Sequence, residues 1–254
     1  MIPKIIHQTW KTNEIPEKWK NAVESCKKKY NDYQYIFWTH ETMLQFVKKE
    51  FPKFYNVYTS YNEDIQRCDA FRYLILYKYG GIYLDLDIIC KKKFDNLLKY
   101  DLVLVRSPNN KFQITNSFYM SIPNHPFIKF CIDNLPSYKD SFKNLGKHWH
   151  IMNSTGPWFL TKMFNKYGQS NIKNIYFLSN DEFAGDCNSC NENACKGGIY
   201  FRHIVGNSWH SFDSVIYNKI FCNWKIILLT AFIFILLIIL YKNPFIAKKI
   251  KKFY

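Results

Sequence analysis

Arg67-Cys68-Asp69-Ala70-Phe71-Arg72-Tyr73-Leu74-Ile75-Leu76-Tyr77-Lys78-Tyr79-Gly80-Gly81-Ile82-Tyr83-Leu84-Asp85-Leu86-Asp87 is the stretch that decides the fold of this 254-residue chain. Ile65, Cys68, Phe71, Ile75, Leu76 and Tyr79 recur at helical spacing, and Leu74 widens the apolar face. Gly80-Gly81 stops the helix, because glycine accepts the left-handed backbone a helix end requires. Ile82-Tyr83-Leu84 then reads as a short buried strand that ends in two carboxylates. Asp69 and Arg72, three residues apart, share one helix face and can pair or reach one ligand together. Alternate strand residues share a side, so Asp85 and Asp87 would project together, although the geometry loosens at a strand end and one or both can reach a metal. Two carboxylates beside an apolar run are costly unless a cation or hydrogen-bond donors pair them. Hard oxygen ligands of this kind select Mn²⁺ or Mg²⁺, and a cation so placed is suited to grip a diphosphate.

Outward from this stretch, apolar strand-like runs alternate with helical ones. Lys4 to Gln8 and Tyr33 to Trp38 read as strands separated by a helix from Glu17 to Lys29. Glu41 to Lys49 and Phe54 to Tyr61 read as further helices, and Leu102 to Val105 and Ile175 to Leu178 as further strands. Such alternation predicts an α/β domain with a mixed, mostly parallel sheet and helices on both faces. Sites in such sheets form outside the carboxyl ends of the strands, which is where Asp85 and Asp87 fall. The chain is long enough for one such domain with a full core.

These residues together resemble glycosyltransferase family 32, the DXD-containing sugar transferases, which includes fungal initiating mannosyltransferases and inositol-phosphoceramide mannosyltransferases. The resemblance covers roughly residues 1 to 215. It rests also on Ile2-Pro3-Lys4-Ile5-Ile6-His7-Gln8-Thr9-Trp10, Tyr33-Gln34-Tyr35-Ile36-Phe37-Trp38, Pro123-Asn124-His125-Pro126-Phe127, Thr155-Gly156-Pro157, and His203 with Gly206, Ser208 and Trp209, all in family order. It implies a GT-A-like nucleotide-sugar-binding domain and a hexose donor such as GDP-mannose or a UDP-sugar. The acceptor it implies is a lipid headgroup or a glycan, with retention of anomeric configuration. By the same resemblance Asp85 and Asp87 form the DXD metal pair, Asp69 and Arg72 contact the donor sugar, and Trp10 lies near the nucleotide base. His203 or Ser208, with Trp209, closes the metal and diphosphate site. Cys68 stands where the family usually has serine or another small residue. His7, inside an apolar strand, is expected to be structural, and Trp10 reads equally as core packing or base stacking.

Residues 225–241 form a second clear feature. From Ile226 the run carries no charge, and with Trp224 it is just long enough to cross about 30 Å of hydrocarbon. The predicted organisation is a transferase domain at 1–215, a linker at 216–224, a transmembrane helix at 225–241 and a basic tail at 242–254. No signal peptide precedes the first strand, which predicts a tail-anchored chain facing the cytosol. The lysine-rich tail prefers the cytosolic side and predicts the opposite facing. A Golgi or related endomembrane is expected, with its facing open.

The net charge of +15 does not indicate nucleic acid, since no helix-turn-helix, zinc-finger or RNA-binding signature accompanies it. A basic surface also suits anionic lipid headgroups and nucleotide donors. Cys187, Cys190 and Cys195 cluster, with Cys222 further on; their spacing admits a loop disulfide in an oxidising compartment, free thiols in the cytosol, or zinc. Asn153-Ser154-Thr155 is a glycosylation sequon abutting Thr155-Gly156-Pro157. Two alternatives remain beside the transferase: a haloacid-dehalogenase-type phosphatase with Asp85 as nucleophile, and a membrane-anchored, inactive sugar-nucleotide-binding protein.

Overall fold

The computed structural model describes residues 1–107, 112–183, 185, 190, 196–204 and 211–242. They fall into two units, one ending at His210 and the other beginning at Ser211.

In the first unit the strands are β1 (Ile5–Thr9), β2 (Gln34–Trp38), β3 (Gly81–Leu84), β4 (Ile88–Cys90), β5 (Leu102–Arg106), β6 (Ile114–Ser121), β7 (Ile175–Leu178) and β8 (Phe201–His203). The helices are α1 (Glu17–Lys29), α2 (His40–Glu50), α3 (Pro52–Thr59), α4 (Asp64–Tyr79), α5 (Pro126–Tyr138), α6 (Lys147–Ser154) and α7 (Pro157–Tyr167). The main sheet has the order β2-β1-β3-β6-β5-β7, and β4 pairs with β8 in a separate ribbon. β1 runs parallel to both β2 and β3, β5 runs parallel to β7, and β6 alone is antiparallel to its neighbours. The expected mixed, mostly parallel α/β sheet is therefore present.

Side chains alternate across β3 as a strand requires. Tyr83 enters a core with Phe71, Leu74, Tyr119 and Phe159, drawn from α4, β6 and α7. Ile82 and Leu84 enter the opposite core with Cys26, Phe118 and Phe201, drawn from α1, β6 and β8. The helix stop is enforced sterically. Gly80 and Gly81 have φ of +64° and +93°. A Cβ on Gly80 would come within 2.7 Å of Pro123, and one on Gly81 within 2.6 Å of the Ile5 carbonyl. His7 lies behind this junction, fully buried, with its Nε2 3.1 Å from the Gly80 carbonyl and its Nδ1 accepting from Trp38 Nε1 at 3.2 Å. It is structural, as its place in an apolar strand suggested.

One feature lay outside the sequence reading. Cys26 in α1 and Cys90 in β4 form a disulfide across 64 residues. Cys190 and Cys222 each take part in a disulfide, whereas Cys187 and Cys195 lie outside the described residues. The sequon is closed: Asn153 is only 8% exposed, and its amide donates to the Trp149 carbonyl at 2.9 Å. The folded chain leaves no room for a glycan there.

In the second unit, α8 runs from Phe212 to Lys242 as one helix. The stretch expected as a linker at 216–224 is thus helical and continuous with the apolar run. Phe212–Ile239 is long and apolar enough to cross a membrane, and its apolar window is not buried.

Candidate active site

α4 and β3 converge on a cleft of about 270 Å³ whose lining includes Asp69, Arg72, Asp85, Asp87, Asn116, Trp10 and Trp19. Arg72 is its hub. The guanidinium lies 3.2 Å from Asp69 Oδ1 and 3.0 Å from Asp85 Oδ1, donates to the Asn116 carbonyl, and sits 4.7 Å from the Tyr83 ring centroid. The i,i+3 pair expected on α4 is therefore a buried one, extended by the first carboxylate of the DXD.

Each acid on this side is held by further donors. Asn116 Nδ2 donates to Asp69 Oδ1 at 2.9 Å, and the Thr155 hydroxyl donates to Oδ2 at 3.2 Å. Tyr83 donates to Asp85 Oδ1 at 2.7 Å and lies 3.1 Å from the Thr9 hydroxyl. Burial pushes the Asp69 carboxyl up to about 6 although Arg72 opposes it. The Asp85 carboxyl is likewise raised, by burial first, against Arg72, with the charge of Asp87 adding to the rise. Its side chain keeps 27% exposure, so water limits that rise. Burial works against the Arg72 charge, but Asp85, Tyr83 and Asp69 outweigh it and hold the guanidinium ionised.

Asp85 and Asp87 do not share a side as two residues of one strand would. β3 ends at Leu84, a turn follows, and β4 begins at Ile88. Asp85 turns to Arg72, and Asp87 turns to the β4–β8 ribbon. There Ile88 is registered against His203, and the Ile204 amide donates to the Asp87 carbonyl at 2.7 Å. His203 Nε2 comes 3.2 Å from Asp87 Oδ1. That contact is an ion pair that falls short of strict hydrogen-bond geometry, and the buried Asp87 Oδ1 has no other hydrogen-bond partner. Burial disfavours the imidazolium, yet Asp87 raises the His203 pKa overall.

An orphaned carboxylate oxygen, a second carboxylate one turn away and a histidine suit a hard divalent cation. Among the described residues no three His, Cys, Asp or Glu side chains already form a cage. A cation here would complete its shell with phosphate oxygens and water, as Mg²⁺ does at phosphate sites.

Of the residues expected at the site, Trp10, Asp69, Arg72, Asp85, Asp87 and His203 are brought around one cleft and its β4–β8 border. Ser208 and Trp209 lie outside the described residues. Trp10 lines the cleft and packs edge-on against Trp19, with centroids 4.7 Å apart. Sequence reasoning missed Tyr83, Asn116, Thr155 and Trp19. Asn116 had a faint signal, as a buried polar residue in an otherwise strand-like Ile114–Ser121 run.

An α/β sheet with a DXD turn at the carboxyl end of a central strand, beside a buried Asp–Arg pair, defines the glycosyltransferase class. Residues 16–104 match the family described as "glycosyltransferase sugar-binding region containing DXD motif". Inositol phosphoceramide mannosyltransferase 1 of Schizosaccharomyces pombe is 35% identical over 235 residues, 91% of this chain and 70% of that protein. Mannosyl phosphorylinositol ceramide synthase of Saccharomyces cerevisiae is 38% identical over 224 residues, 84% of this chain and 54% of that protein. The solved PaToxG glycosyltransferase aligns over 65% of this chain and 68% of its own at 23% identity, with a TM-score of 0.46. The chain belongs to the DXD-containing glycosyltransferase family, and it spans roughly half to seven tenths of the length of these two yeast relatives. That membership closes the phosphatase alternative.

Proposed function

We propose that the chain transfers mannose from a nucleotide-sugar donor, GDP-mannose first among candidates, to the inositol-phosphate headgroup of a ceramide lipid. The observation that carries this reading is the pairing of a buried Asp69–Arg72–Asp85 network with an adjacent orphaned Asp87 oxygen in one cleft. The lipid acceptor is supported by the names of the yeast relatives.

Transfer breaks the bond between the sugar anomeric carbon and the diphosphate, and negative charge builds on the departing oxygen. Asp85, Asp87 and His203 would hold Mn²⁺ or Mg²⁺, which when bound supplies Lewis-acid stabilisation of that charge. Arg72, fixed by two carboxylates, offers preorganised positive charge beside the same oxygens. Asp69, whose carboxylate is pinned by Asn116 and Thr155, orients sugar hydroxyls. Trp10, braced by Trp19, takes the nucleotide base. Retention of the anomeric configuration is expected.

α8 is the membrane anchor, and the Cys26–Cys90 bond favours an oxidising compartment for the first unit, such as the Golgi lumen. The tail lysines would then take the cytosolic side.

The test is release of nucleoside diphosphate by the full chain in detergent, across donors, with and without Mn²⁺, in the presence of inositol phosphoceramide. Manganese-dependent, donor-selective release that the Asp85→Asn/Asp87→Asn double variant lacks is the expected result. A folded chain that binds a donor but never turns it over would replace this reading with the inactive binding protein.

A further inference from the structure

Between α5 and α6 the chain makes a knuckle, Lys139-Asp140-Ser141-Phe142-Lys143-Asn144-Leu145-Gly146, that the transferase chemistry does not use. Its two apolar side chains point outward: Phe142 is 47% exposed and Leu145 61%. Phe142 holds φ at +56°, a left-handed conformation that bulky residues avoid. Strain kept at an exposed aromatic is a mark of function more than of packing.

The knuckle is nevertheless well built. The Leu145 amide donates to the Phe142 carbonyl at 3.0 Å, closing a short 3-10 turn, and Gly146 at φ +100° starts α6. Beneath it, buried His150 joins the Ser141 carbonyl, 3.0 Å from Nδ1, to Gln66 of α4, 3.0 Å from Nε2. The carbonyl requires the proton on Nδ1, which leaves Nε2 to accept from the Gln66 amide. A rigid polar link therefore runs from the knuckle to the helix that carries Asp69 and Arg72.

Charge surrounds the apolar pair. Lys139, Lys143 and Lys147 lie in or next to the knuckle, and Lys162 Nζ is 5.9 Å from the Phe142 ring centroid. Asp140 is the one acid between residues 139 and 147, and Lys143 pairs with it at 3.2 Å, while Lys147 pairs with Glu63 at 2.6 Å. That leaves Lys139 and Lys162 as the lysines without a carboxylate partner among the described residues. Lys147 and Ile151 of α6 also line the cleft, so the knuckle stands at the rim of the active site.

We propose that this Phe142–Leu145 knuckle docks on an anionic bilayer surface, inserting its two apolar side chains among the headgroups while the lysines meet lipid phosphates. Two side chains fall far short of the ~800 Å² per partner that a stable protein interface buries. Shallow insertion of an aromatic and a leucine, ringed by lysines, suffices at a membrane interface. The docked knuckle would hold the cleft mouth at headgroup level. This last step rests on the lipid-acceptor reading; the docking itself does not.

The test uses the full chain reconstituted into phosphatidylcholine vesicles with or without phosphatidylinositol, and in detergent micelles, with hydrogen exchange read at residues 139–147. Exchange there is expected to slow about tenfold in the anionic vesicles relative to detergent. The slowing should vanish in Phe142→Ser/Leu145→Ser and shrink in Lys139→Glu/Lys143→Glu, with donor hydrolysis unchanged in both. Transfer to inositol phosphoceramide in vesicles should fall in the first variant, while transfer to a soluble inositol-phosphate headgroup is kept. Equal exchange in detergent, neutral and anionic vesicles overturns the docking surface. Protection in anionic vesicles without any transfer to a phosphoinositol lipid would keep the surface and refute the acceptor.

Discussion

The two halves of the active-site cluster are finished to different degrees. The inner half, Asp69, Arg72, Asp85, Tyr83, Asn116 and Thr155, stands on α4 and the main sheet, and its three charged groups are all bound to protein. The outer half, Asp87 and His203, stands on the two-stranded β4–β8 ribbon tied to α1 by Cys26–Cys90, and it leaves a buried carboxylate oxygen unbonded. Asp87 pairs there with His203 alone, and a buried oxygen short of hydrogen-bond donors is costly unless something else supplies a partner. On the proposed function the inner half positions the sugar, and Asp85 at its edge joins Asp87 and His203 of the outer half in holding the cation.

The sharpest way to break this contrast is to delete one charge from each half. Arg72→Met strands Asp69 and Asp85 in the interior, so the chain should lose about 3–5 kcal/mol of stability as well as its activity. Asp87→Asn removes a half-buried charge whose protein partner is the His203 ring, 3.2 Å away. Transfer should fall about 10³-fold, the scale of losing a main electrostatic contribution to the transition state, while the urea midpoint stays level or rises. Urea melts and turnover assays on both variants decide the matter. An Asp87→Asn protein that unfolds as easily as Arg72→Met would erase the distinction between the halves.

The inner half was the more legible of the two, and the reason is local. Helical periodicity, a double glycine and a DXD all fall within Arg67 to Asp87, so short-range rules paired Asp69 with Arg72 and set Asp85 at the end of the next strand. The outer half depends on contacts distant in sequence. The Cys26–Cys90 bond spans 64 residues and carries no spacing signal, and it exists because α1 packs on β4. Asp87 turns away from Asp85 because β3 stops at Leu84 and the chain turns before β4, which periodicity could not anticipate. β6 escaped notice because Thr115, Asn116 and Ser117 interrupt its apolar pattern, yet it supplies the antiparallel strand and the Asn116 donor. The apolar run in α8 was plain from composition, whereas the helical character of its approach was not.

The scaffold behind the inner half offers a second, smaller lever. His7 donates from Nε2 to the Gly80 carbonyl and accepts from Trp38 at Nδ1, so a second ring proton would face the Trp38 N–H. Burial holds its pKa at about 4, against 6.5 for a free histidine. The native state therefore excludes a proton that the unfolded chain takes up, and stability falls as pH drops from 6.5 towards 4. The lowering corresponds to about 3 kcal/mol by pH 4. Urea midpoints measured across that window should fall steeply in the wild type and less so in His7→Gln. Parallel curves would show that His7 is not the acid-sensitive pin under Gly80-Gly81.

The finest test lies within the inner half and asks whether its donors position a charge or merely fill space. Asn116 and Thr155 both donate to Asp69, and both work against the burial that brings its carboxyl to about 6. Removing either donor should therefore raise that pKa further, since a donor to a carboxylate favours the ionised form. If sugar positioning needs ionised Asp69, kcat/KM falls on the acid side of a pKa near 6 in the wild type. In Asn116→Ala or Thr155→Val the acid limb should move to higher pH by about one unit, the scale of one hydrogen bond to a charged group. At pH 6 the variants would then turn over several-fold more slowly than wild type, and the gap would narrow as pH rises past the new pKa. A pH-independent loss in both variants would instead mean that Asn116 and Thr155 shape the cleft without tuning its charge. The inner half would then be a packed wall, and Arg72 alone would carry its electrostatics.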